Sequence, residues 1–491
     1  MSLGRVWSAA PAIPPAGRPE EAASAPPAAI TLGAVAKRYG RHLALDRVDL
    51  RIDAGTTVAL TGANGAGKST LLGLISGTVS PSSGRVTLAG ARPGDGSRAR
   101  GRILGVLHHR TMLYDRLTGS ENLRLHATVR GLPLGRVDAV LAQVDLGDAA
   151  HRPVATYSHG MRKRLSLARL LLHEPAVLLL DEPFAGLDAA SQERLAQIVE
   201  GLRGRHTIVF STHDLPRAAA LADRVLTLAA GRIADDRPTE VQPGSERPAV
   251  EAAAHPAPFA PAARAAAVAG FVRTVAAMLT KDLRIESRAR SVSTAMLMLA
   301  GLLAVVLGMA FEPLANDPAV LSGALWVLIT FAALHGLARS FDAEFHDDAL
   351  RGLLLTGADP AAIYLGKVLG TATFLFGVAL ASVGLISLFF GAPALLGALP
   401  GLLLLIALAA LGLTAVGGLT TVMARHSGLG ETLLPLLLLP LVVPVLLAGV
   451  ASVPVLLETG RLDPGWLRVL LAYDVGMLVA TTAFFEHLLE G

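Results

Sequence analysis

The sequence predicts an α/β domain followed by an all-α polytopic membrane domain of six helices. Of the 491 residues, 52% are hydrophobic and only 17% are charged, and the mean hydropathy of +0.52 is too apolar for one soluble globule. Most charged residues lie within about the first 290 positions, whereas the rest of the chain consists of long apolar runs. A soluble domain is therefore expected to precede a membrane domain.

Charge and cysteine content exclude several functions. The formal net charge of +4 is small and scattered along the chain, so we expect no nucleic-acid partner. The chain has no cysteine, which excludes disulfide bonds, thiolate metal sites and a cysteine nucleophile.

The α/β domain is expected between two proline-rich segments. Residues 1–28 are rich in alanine and proline and are predicted to be a disordered tail, because prolines interrupt the apolar stretch that a signal peptide would need. From residue 29 to about 234, short runs such as TVALT, VLLL and TIVFS alternate with amphipathic stretches, which is typical of a largely parallel sheet with helices. Residues 235–270 are again rich in proline and alanine and are predicted to be a linker.

Residues 271–491 contain six apolar runs that are long enough to cross a bilayer. The predicted spans are residues 294–311, 319–338, two helices within 368–424 separated by a break near 391–393, 432–457 and 467–485. Lys and Arg cluster before the first span and in the loops on the same side, so both ends of this domain are predicted to be cytoplasmic. We therefore expect a lipid-embedded, multi-pass protein of the cytoplasmic (inner) membrane.

Asp474 is the only acidic residue well inside a predicted span. Because ionisable groups are costly in a membrane, we expect its side chain to face a partner or a cavity. The alternative is a position at the external interface, since Arg461 and Arg468 indicate that the last helix starts late.

Residues 62–69 read GANGAGKS and fit the pattern GxxxxGK[ST] between a strand-like and a helix-like stretch. Glycines let backbone N–H groups approach a phosphate, the helix N-terminus and Lys68 attract it, and the hydroxyl of Ser69 suits Mg²⁺. The pattern predicts a P-loop NTPase. The candidate nucleotide-binding residues here are Gly62, Asn64, Gly65, Gly67, Lys68, Ser69 and Thr70.

Two carboxylates follow the apolar run at residues 177–180, namely Asp181 and Glu182. A buried strand that delivers two acids at its end is costly unless they act in the chemistry. We expect Asp181, together with Ser69, to hold the Mg²⁺ shell and Glu182 to polarise the attacking water.

These motifs are similar to those of the ATPase of an ABC transporter, and the resemblance covers residues 30 to about 234. Tyr39 resembles the aromatic residue that stacks on adenine in this family. Asp188, in AGLD, resembles the D-loop aspartate, and His213, after TIVFS, resembles the switch histidine that contacts the γ-phosphate. The resemblance implies an ATPase that uses ATP and Mg²⁺.

Ser158 and Gly160 stand where the family has its SGGQ signature, although His159 and Met161 depart from it. The resemblance implies that Ser158 and Gly160 reach the γ-phosphate. In this family each ATP lies between the phosphate loop of one ATPase and the signature of another. A homodimer through the ATPase domains, or a larger membrane complex, is therefore implied.

The position that matches the family's Q-loop glutamine, a few residues before LTGSENL, is His109. A histidine can donate to a water in the Mg²⁺ shell, but it can also protonate. The ATPase subunit of the cytochrome c maturation haem-export system, CcmA, resembles this chain because it also has a histidine there. We therefore group His109 with Glu182 and His213 as candidate catalytic residues.

Residues 339–360 form an acidic stretch after the second predicted span. Phe341, Phe345 and Leu350 are spaced to form one apolar face of an interfacial helix with acids on the other, and the alternative is a solvated acidic loop. An acidic run, three leucines, a turn with proline and an apolar helix with an early lysine resemble the membrane subunit CcmB. The sequences LTKDLRIESRARS and ALWV are similar too.

The two resemblances together imply a fused half-transporter for haem export or cytochrome c-type biogenesis, with haem-chaperone and haem-handling membrane proteins as partners. The chain has only three tryptophans and no tryptophan-rich haem motif, so the haem-binding surface is expected on partner chains. Two alternatives stay open. One is an exporter of a drug, lipid or glycan, and the other is a membrane-anchored mechanochemical ATPase that releases a partner protein.

Overall fold

The computed structural model describes residues 28–88, 101, 103–239, 264–289, 291–426 and 433–490. The predicted tail lies outside the described residues apart from Ala28, and so does most of the predicted linker. Both ends of the predicted linker differ from the structure, because a strand continues to Pro238 and the next helix begins at Arg264.

The N-terminal half has nine strands and six helices among its described residues. The strands are β1 (Ala28–Tyr39), β2 (His42–Asp53), β3 (Thr57–Thr61), β4 (Ser83–Leu88), β5 (Leu104–Leu107), β6 (Val177–Leu180), β7 (Thr207–Ser211), β8 (Arg224–Ala229) and β9 (Arg232–Pro238). The helices are α1 (Lys68–Ser76), α2 (Gly119–Arg130), α3 (Arg136–Gln143), α4 (His159–Leu171), α5 (Ala189–Leu202) and α6 (Leu215–Leu221).

The predicted α/β fold is confirmed. Its main sheet has the order β5-β6-β7-β3-β8-β9, in which every pair is parallel except β8 with β9. Successive residues of β3 enter opposite cores, Ala59 on one face and Val58 and Leu60 on the other, as the two-residue period of a strand requires. Because β5, β6, β7 and β3 run in parallel, their carboxyl ends lie along one edge of the sheet. An antiparallel sheet, β2-β1-β4, completes the domain.

The second half is helical. Its elements are α7 (Arg264–Ala289), α8 (Ser291–Ala310), α9 (Pro318–Ser340), α10 (Asp342–Phe345), α11 (Ala349–Leu354), α12 (Pro360–Phe389), α13 (Ala394–Gly397), α14 (Leu399–His426), α15 (Leu433–Thr459) and α16 (Pro464–Glu490). Six of them, α8, α9, α12, α14, α15 and α16, are long and apolar enough to cross a membrane, as predicted. The predicted break near residues 391–393 is present, and Gly391 has a φ of +63° there.

Asp474 lies among the membrane helices and not at an exposed interface. Helix α16 begins at Pro464, three residues before the predicted start, so it does not start late. The Asp474 side chain is buried against Gly412 of α14, where an added Cβ would collide with it. Neither carboxylate oxygen has a hydrogen-bond partner among the described residues.

Residues 341–354, which we call the coupling segment, differ from the single amphipathic helix that the spacing predicts. Two short helices, α10 and α11, are separated by a turn in which Asp347 and Asp348 have φ values of +52° and +56°. Non-glycine residues rarely adopt this conformation, so consecutive ones end the first helix. The acids do not share one solvated face either, because Glu344 is fully buried.

Candidate functional site

The phosphate loop connects β3 to α1 with the geometry that its glycines permit. Gly62, Gly65 and Gly67 have φ values of +137°, +81° and +104°, which residues with a Cβ atom rarely adopt. A Cβ on Gly67 would also lie 2.7 Å from the carbonyl oxygen of Ala44. The loop therefore folds tightly and ends at the first residue of α1, where backbone N–H groups and the helix dipole attract an anion.

Lys68 begins α1 and lies across the phosphate loop. Its Nζ donates to the carbonyl oxygens of Gly62 at 2.8 Å and Ala63 at 3.0 Å, and little of the side chain is exposed. Ser69 and Thr70 follow in the first turn, and Asn64 lies on the exposed rim of the loop together with Gly65. A positive charge and a hydroxyl are thus held next to the glycine cradle.

Asp181 and Glu182 follow β6 at the same edge of the sheet and are tied together by Ser211. The Ser211 hydroxyl donates to Asp181 Oδ1 at 2.7 Å and accepts from the backbone N–H of Glu182 at 2.8 Å. Glu182 has a φ of +45°, a strained conformation that this hydrogen bond helps to hold. The sequence did not single out Ser211 because its role depends on β6 and β7 being neighbours.

His213 follows β7, which lies between β6 and β3 in the sheet. The structure therefore brings His213, the two carboxylates and the phosphate loop to one edge, as parallel neighbouring strands require. His213 is exposed. Its neighbour Thr212 is held by a backbone hydrogen bond to Leu60 of β3 at 3.0 Å, which fixes this turn beside the phosphate loop.

Tyr39 ends β1 and pairs with His42 across a tight turn. Its ring is 48% exposed, and Lys37 Nζ lies 5.0 Å from the ring centroid. The returning strand, β2, includes Ala44, whose carbonyl oxygen faces Gly67 of the phosphate loop. An exposed aromatic face thus stands on a hairpin that packs against the loop.

Ser158 and Gly160 lie at the start of α4, close to the turn that contains Asp188. Ser158 caps the helix by accepting from the N–H of Met161 at 3.2 Å, and Asp188 caps α5 by accepting from Ser191 at 2.7 Å. A Cβ on Gly160 would lie 2.7 Å from Ser191 Cβ, so only glycine fits between the two helix starts. Ser158 and Asp188 are both exposed, and together they form a surface available to a second molecule.

Comparison with known proteins assigns the family. Residues 45–185 match the family model described as ABC transporter, and residues 273–490 match the model described as CcmB protein. An aliphatic sulfonates import ATP-binding protein of Burkholderia cenocepacia is 38% identical over 230 residues, which are 46% of this chain and 69% of that protein. The chain belongs to the ABC transporter family.

Other relatives of this ABC transporter are also ATP-binding proteins, and each covers less than half of the chain. A cobalt import protein of Rhodobacter capsulatus is 40% identical over 229 residues, 42% of this chain and 80% of that protein. A daunorubicin resistance protein of Streptomyces coeruleorubidus is 39% identical over 213 residues, 42% of this chain and 66% of that protein. A solved ATP-binding subunit of an ABC transporter, 30% identical, covers 43% of this chain and 89% of that chain with a TM-score of 0.40.

This ABC transporter contains an ATPase and a CcmB-like membrane domain in one chain. His109 directly precedes the residues through which the ATPase contacts the membrane domain. His109 follows β5, next to β6, at the edge that carries Asp181. Its side chain is exposed, whereas burial lowers the pKa of the preceding His108 to about 4. Lys163 of α4, which the sequence analysis missed, donates to the carbonyl oxygens of His108 at 3.5 Å and His109 at 3.4 Å.

The residues directly after His109 hold the coupling segment of the transporter. Backbone N–H groups of Thr111 and Met112 donate to Asp347, at 3.2 Å to a carboxylate oxygen and 3.1 Å to the carbonyl oxygen. The Thr111 hydroxyl also donates to the Asp347 carboxylate. An ion pair between Arg110 and Asp348 at 3.1 Å and a hydrogen bond between His346 and Asp115 at 3.0 Å flank this contact.

Apolar packing and a further ion pair complete the contact between the two halves. Leu350 and Leu353 of α11 share one buried cluster with Leu125 of α2. Arg288 of α7 makes two hydrogen bonds of 2.6 Å to the carboxylate of Glu121. Partial burial acts to raise the pKa of Glu121, but the bonds from Arg288 and from the Thr118 backbone outweigh it and hold the pKa at about 2.

Proposed function

We propose that the chain is an ABC half-transporter in which binding and hydrolysis of Mg-ATP drive a conformational change in the six-helix domain, in service of cytochrome c maturation. One observation carries this proposal. The residues after His109 donate hydrogen bonds to the coupling segment, which belongs to a membrane half that matches the CcmB protein model. The ATPase domain is thus in direct contact with a CcmB-like domain.

The residues at the sheet edge suit ATP. The glycine loop and the N-terminus of α1 receive the phosphates, Lys68 neutralises their charge, and Tyr39 stacks on adenine. Glu182 accepts a proton from the attacking water, and His213 contacts the γ-phosphate. Binding energy that is realised only when these groups meet the transferring phosphate accelerates hydrolysis.

The Ser69 hydroxyl and the Asp181 carboxylate fit a Mg²⁺ ion, because hard oxygen ligands are what this ion takes. Asp181 already accepts a hydrogen bond from Ser211, which orients it, as is usual for carboxylates that hold metals. Two protein oxygens leave most positions of an octahedral Mg²⁺ shell open, so phosphate oxygens and water would complete it. When bound, Mg²⁺ neutralises charge that develops on the phosphates.

A second copy is proposed to complete each ATP site. Ser158 and Gly160 belong to α4, outside the phosphate loop and its strand, and the exposed capping hydroxyl of Ser158 suits a phosphate from another molecule. A symmetric homodimer satisfies both sites at once. The same contact can form within a larger membrane complex.

The proposed physiological task is conformational work at a haem-handling complex. The protein lies in the inner membrane, with both ends of its membrane domain on the cytoplasmic side. When the ATPase domains close, residues 110–115 pull on the coupling segment. The membrane helices repack and act on a haem chaperone or haem-handling membrane partner on the opposite side. Haem itself contacts those partners.

Covalent haem on c-type cytochromes tests this task. Cells that make only the Glu182→Gln protein should lose haem-stained cytochrome c in gels, whereas cells with Glu193→Gln, the same change on the exposed face of α5, should keep it. Normal cytochrome c with Glu182→Gln would refute the maturation role. It would favour an exporter of a drug, lipid or glycan, or an ATPase that releases another partner, and copurification in mild detergent would then identify that partner.

A further inference from the structure

Four buried charges meet where the coupling segment touches the membrane helices. Lys281 and Asp282 come from α7, Glu344 from α10 and Lys367 from α12. Lys281 pairs with Glu344 and, at 2.9 Å, with Asp282, while Lys367 pairs with Asp282 at 3.2 Å and Glu344 at 2.9 Å. The four side chains are between 1% and 7% exposed. We call this closed ring of ion pairs the charge quartet.

The quartet fixes three elements to one another. Helix α7 lies so close to α12 that a Cβ on Gly370 would be 2.9 Å from an Asp282 carboxylate oxygen, and one on Gly366 would be 2.8 Å from the carbonyl oxygen of Val275. Glu344 is the one member that comes from the coupling segment; it accepts a hydrogen bond from Lys281 and forms an ion pair with Lys367. Withdrawing Glu344 from both lysines would leave its carboxylate unpaired in a buried site, which is strongly unfavourable.

The ATPase reaches the quartet from the other side. Tyr114, which belongs to the segment after His109, lies with its ring centroid 4.6 Å from Lys281 Nζ. Three residues beyond Glu344, Asp347 receives the hydrogen bonds from Thr111 and Met112. The coupling segment is thus held by the ATPase at Asp347 and by α12 at Glu344.

A cavity between the ATPase and the membrane helices adjoins the quartet. Asp282 and Lys367 line a cavity of about 480 Å³ that is also bounded by Met296 of α8, Leu337 of α9 and Phe374 of α12. Close-packed helices shift only where space exists. The base of α12 therefore adjoins a space that its displacement can fill.

We infer that the ion pair between Glu344 and Lys367 is the joint through which the coupling segment moves α12 when nucleotide binds. The two side chains are positioning residues and take no part in hydrolysis. This inference rests on the proposed function, in which ATP moves the membrane helices. A displacement of Asp347 by the ATPase is carried through α10 to Glu344 and then to α12, because breaking the buried ion pair is less favourable than moving the helix with it.

Spin labels test the joint, since the chain has no native cysteine to interfere. Labels on Leu388→Cys of α12 and Leu471→Cys of α16, both exposed positions, report their separation by pulsed EPR without nucleotide and with a non-hydrolysable Mg-ATP analogue. The unsubstituted chain should show a nucleotide-dependent shift. The double variant Lys367→Met with Glu344→Gln should keep ATP turnover and lose the shift.

A matched double variant removes the other two members of the same quartet. Lys281→Met with Asp282→Asn deletes one charge of each sign and leaves the Glu344–Lys367 pair intact, so the shift should remain. If the first double does not fold, Glu344→Gln alone replaces it, and the shift should shrink. A full shift after loss of the Glu344–Lys367 pair, or equal losses in both doubles, would overturn the joint alone. No shift in the unsubstituted labelled chain would overturn the proposed function and the joint with it.

Discussion

Replacing Ser211 with alanine is expected to slow ATP hydrolysis without weakening ATP binding. The hydroxyl is fully buried, donates to Asp181 and accepts from the N–H of Glu182. Alanine removes both bonds at once, and the space left by one oxygen atom is too small for a water molecule to replace them. The Glu182 N–H then has no partner, and the strained backbone at Glu182 loses a restraint.

The size of the effect follows from the two bonds. A hydrogen bond to a charged group contributes about 1.5–3 kcal/mol, and each ~1.4 kcal/mol changes a rate about tenfold. Since Asp181 and Glu182 act on the reacting phosphate and water, we expect Ser211→Ala to lower turnover about 10- to 100-fold. Lys68 and the phosphate loop are unchanged, so the affinity for ATP should stay close to that of the unsubstituted protein.

Phosphate release and fluorescent-nucleotide titration on the purified full chain measure the two quantities. Ser452→Ala is the matched control, because Ser452 is also buried but donates only to the Ala448 carbonyl in a membrane helix. Turnover of Ser211→Ala equal to that of Ser452→Ala would refute the role of Ser211. A parallel loss of ATP binding would show that the hydroxyl supports the fold of the site and not the chemistry.

Three further predictions concern the ATPase. Lys68→Ala should weaken nucleotide binding and abolish hydrolysis, whereas Glu182→Gln should bind ATP and fail to hydrolyse it. Turnover by Glu182→Gln would contradict the role of Glu182 as the base. In liposomes, His109→Ala should slow ATP hydrolysis, because alanine cannot donate a hydrogen bond to a water in the Mg²⁺ shell; an unchanged rate would leave His109 as a loop residue. Burial and nearby Arg130 lower the pKa of His173 to about 3, so below pH 6.5 the unfolded chain gains a proton that the folded one does not. The free energy of unfolding should therefore fall by about 2 kcal/mol from pH 7 to pH 5 through this group. Urea unfolding of His173→Gln, which can still donate to the Leu104 carbonyl, should show a smaller fall. An equal fall in this variant would contradict the assignment.

Local motifs predicted the parts of the site that lie on single loops. The glycine pattern of residues 62–69 depends only on the local backbone, and the two acids depend only on the strand that precedes them. The sequence was therefore sufficient to predict both. Ser211 and Lys163 were missed because each acts on a segment that is distant in sequence, and only the order of the strands and the placement of α4 brings them there.

The membrane half shows the same division. Six spans follow from hydropathy, because a bilayer imposes a length on every apolar helix. The pairing of Glu344 with Lys281 and Lys367 requires knowledge of how α7, α10 and α12 pack, which no periodicity reveals. An acidic stretch therefore predicted a solvated face where the structure has a buried ion pair.

The contact between the two halves includes the ion pairs of Arg110 and Arg288 and the hydrogen bond of His346, and all three lie at the surface, where each contributes little. Surface pairs of this kind would contribute little to holding separate proteins together in dilute solution. Here both sides belong to one chain, so each finds its counterpart at an effective concentration of about millimolar, whatever the expression level. These surface pairs can thus break and form again in each cycle while the chain keeps the two halves together, and salt should weaken the pairs without separating the halves.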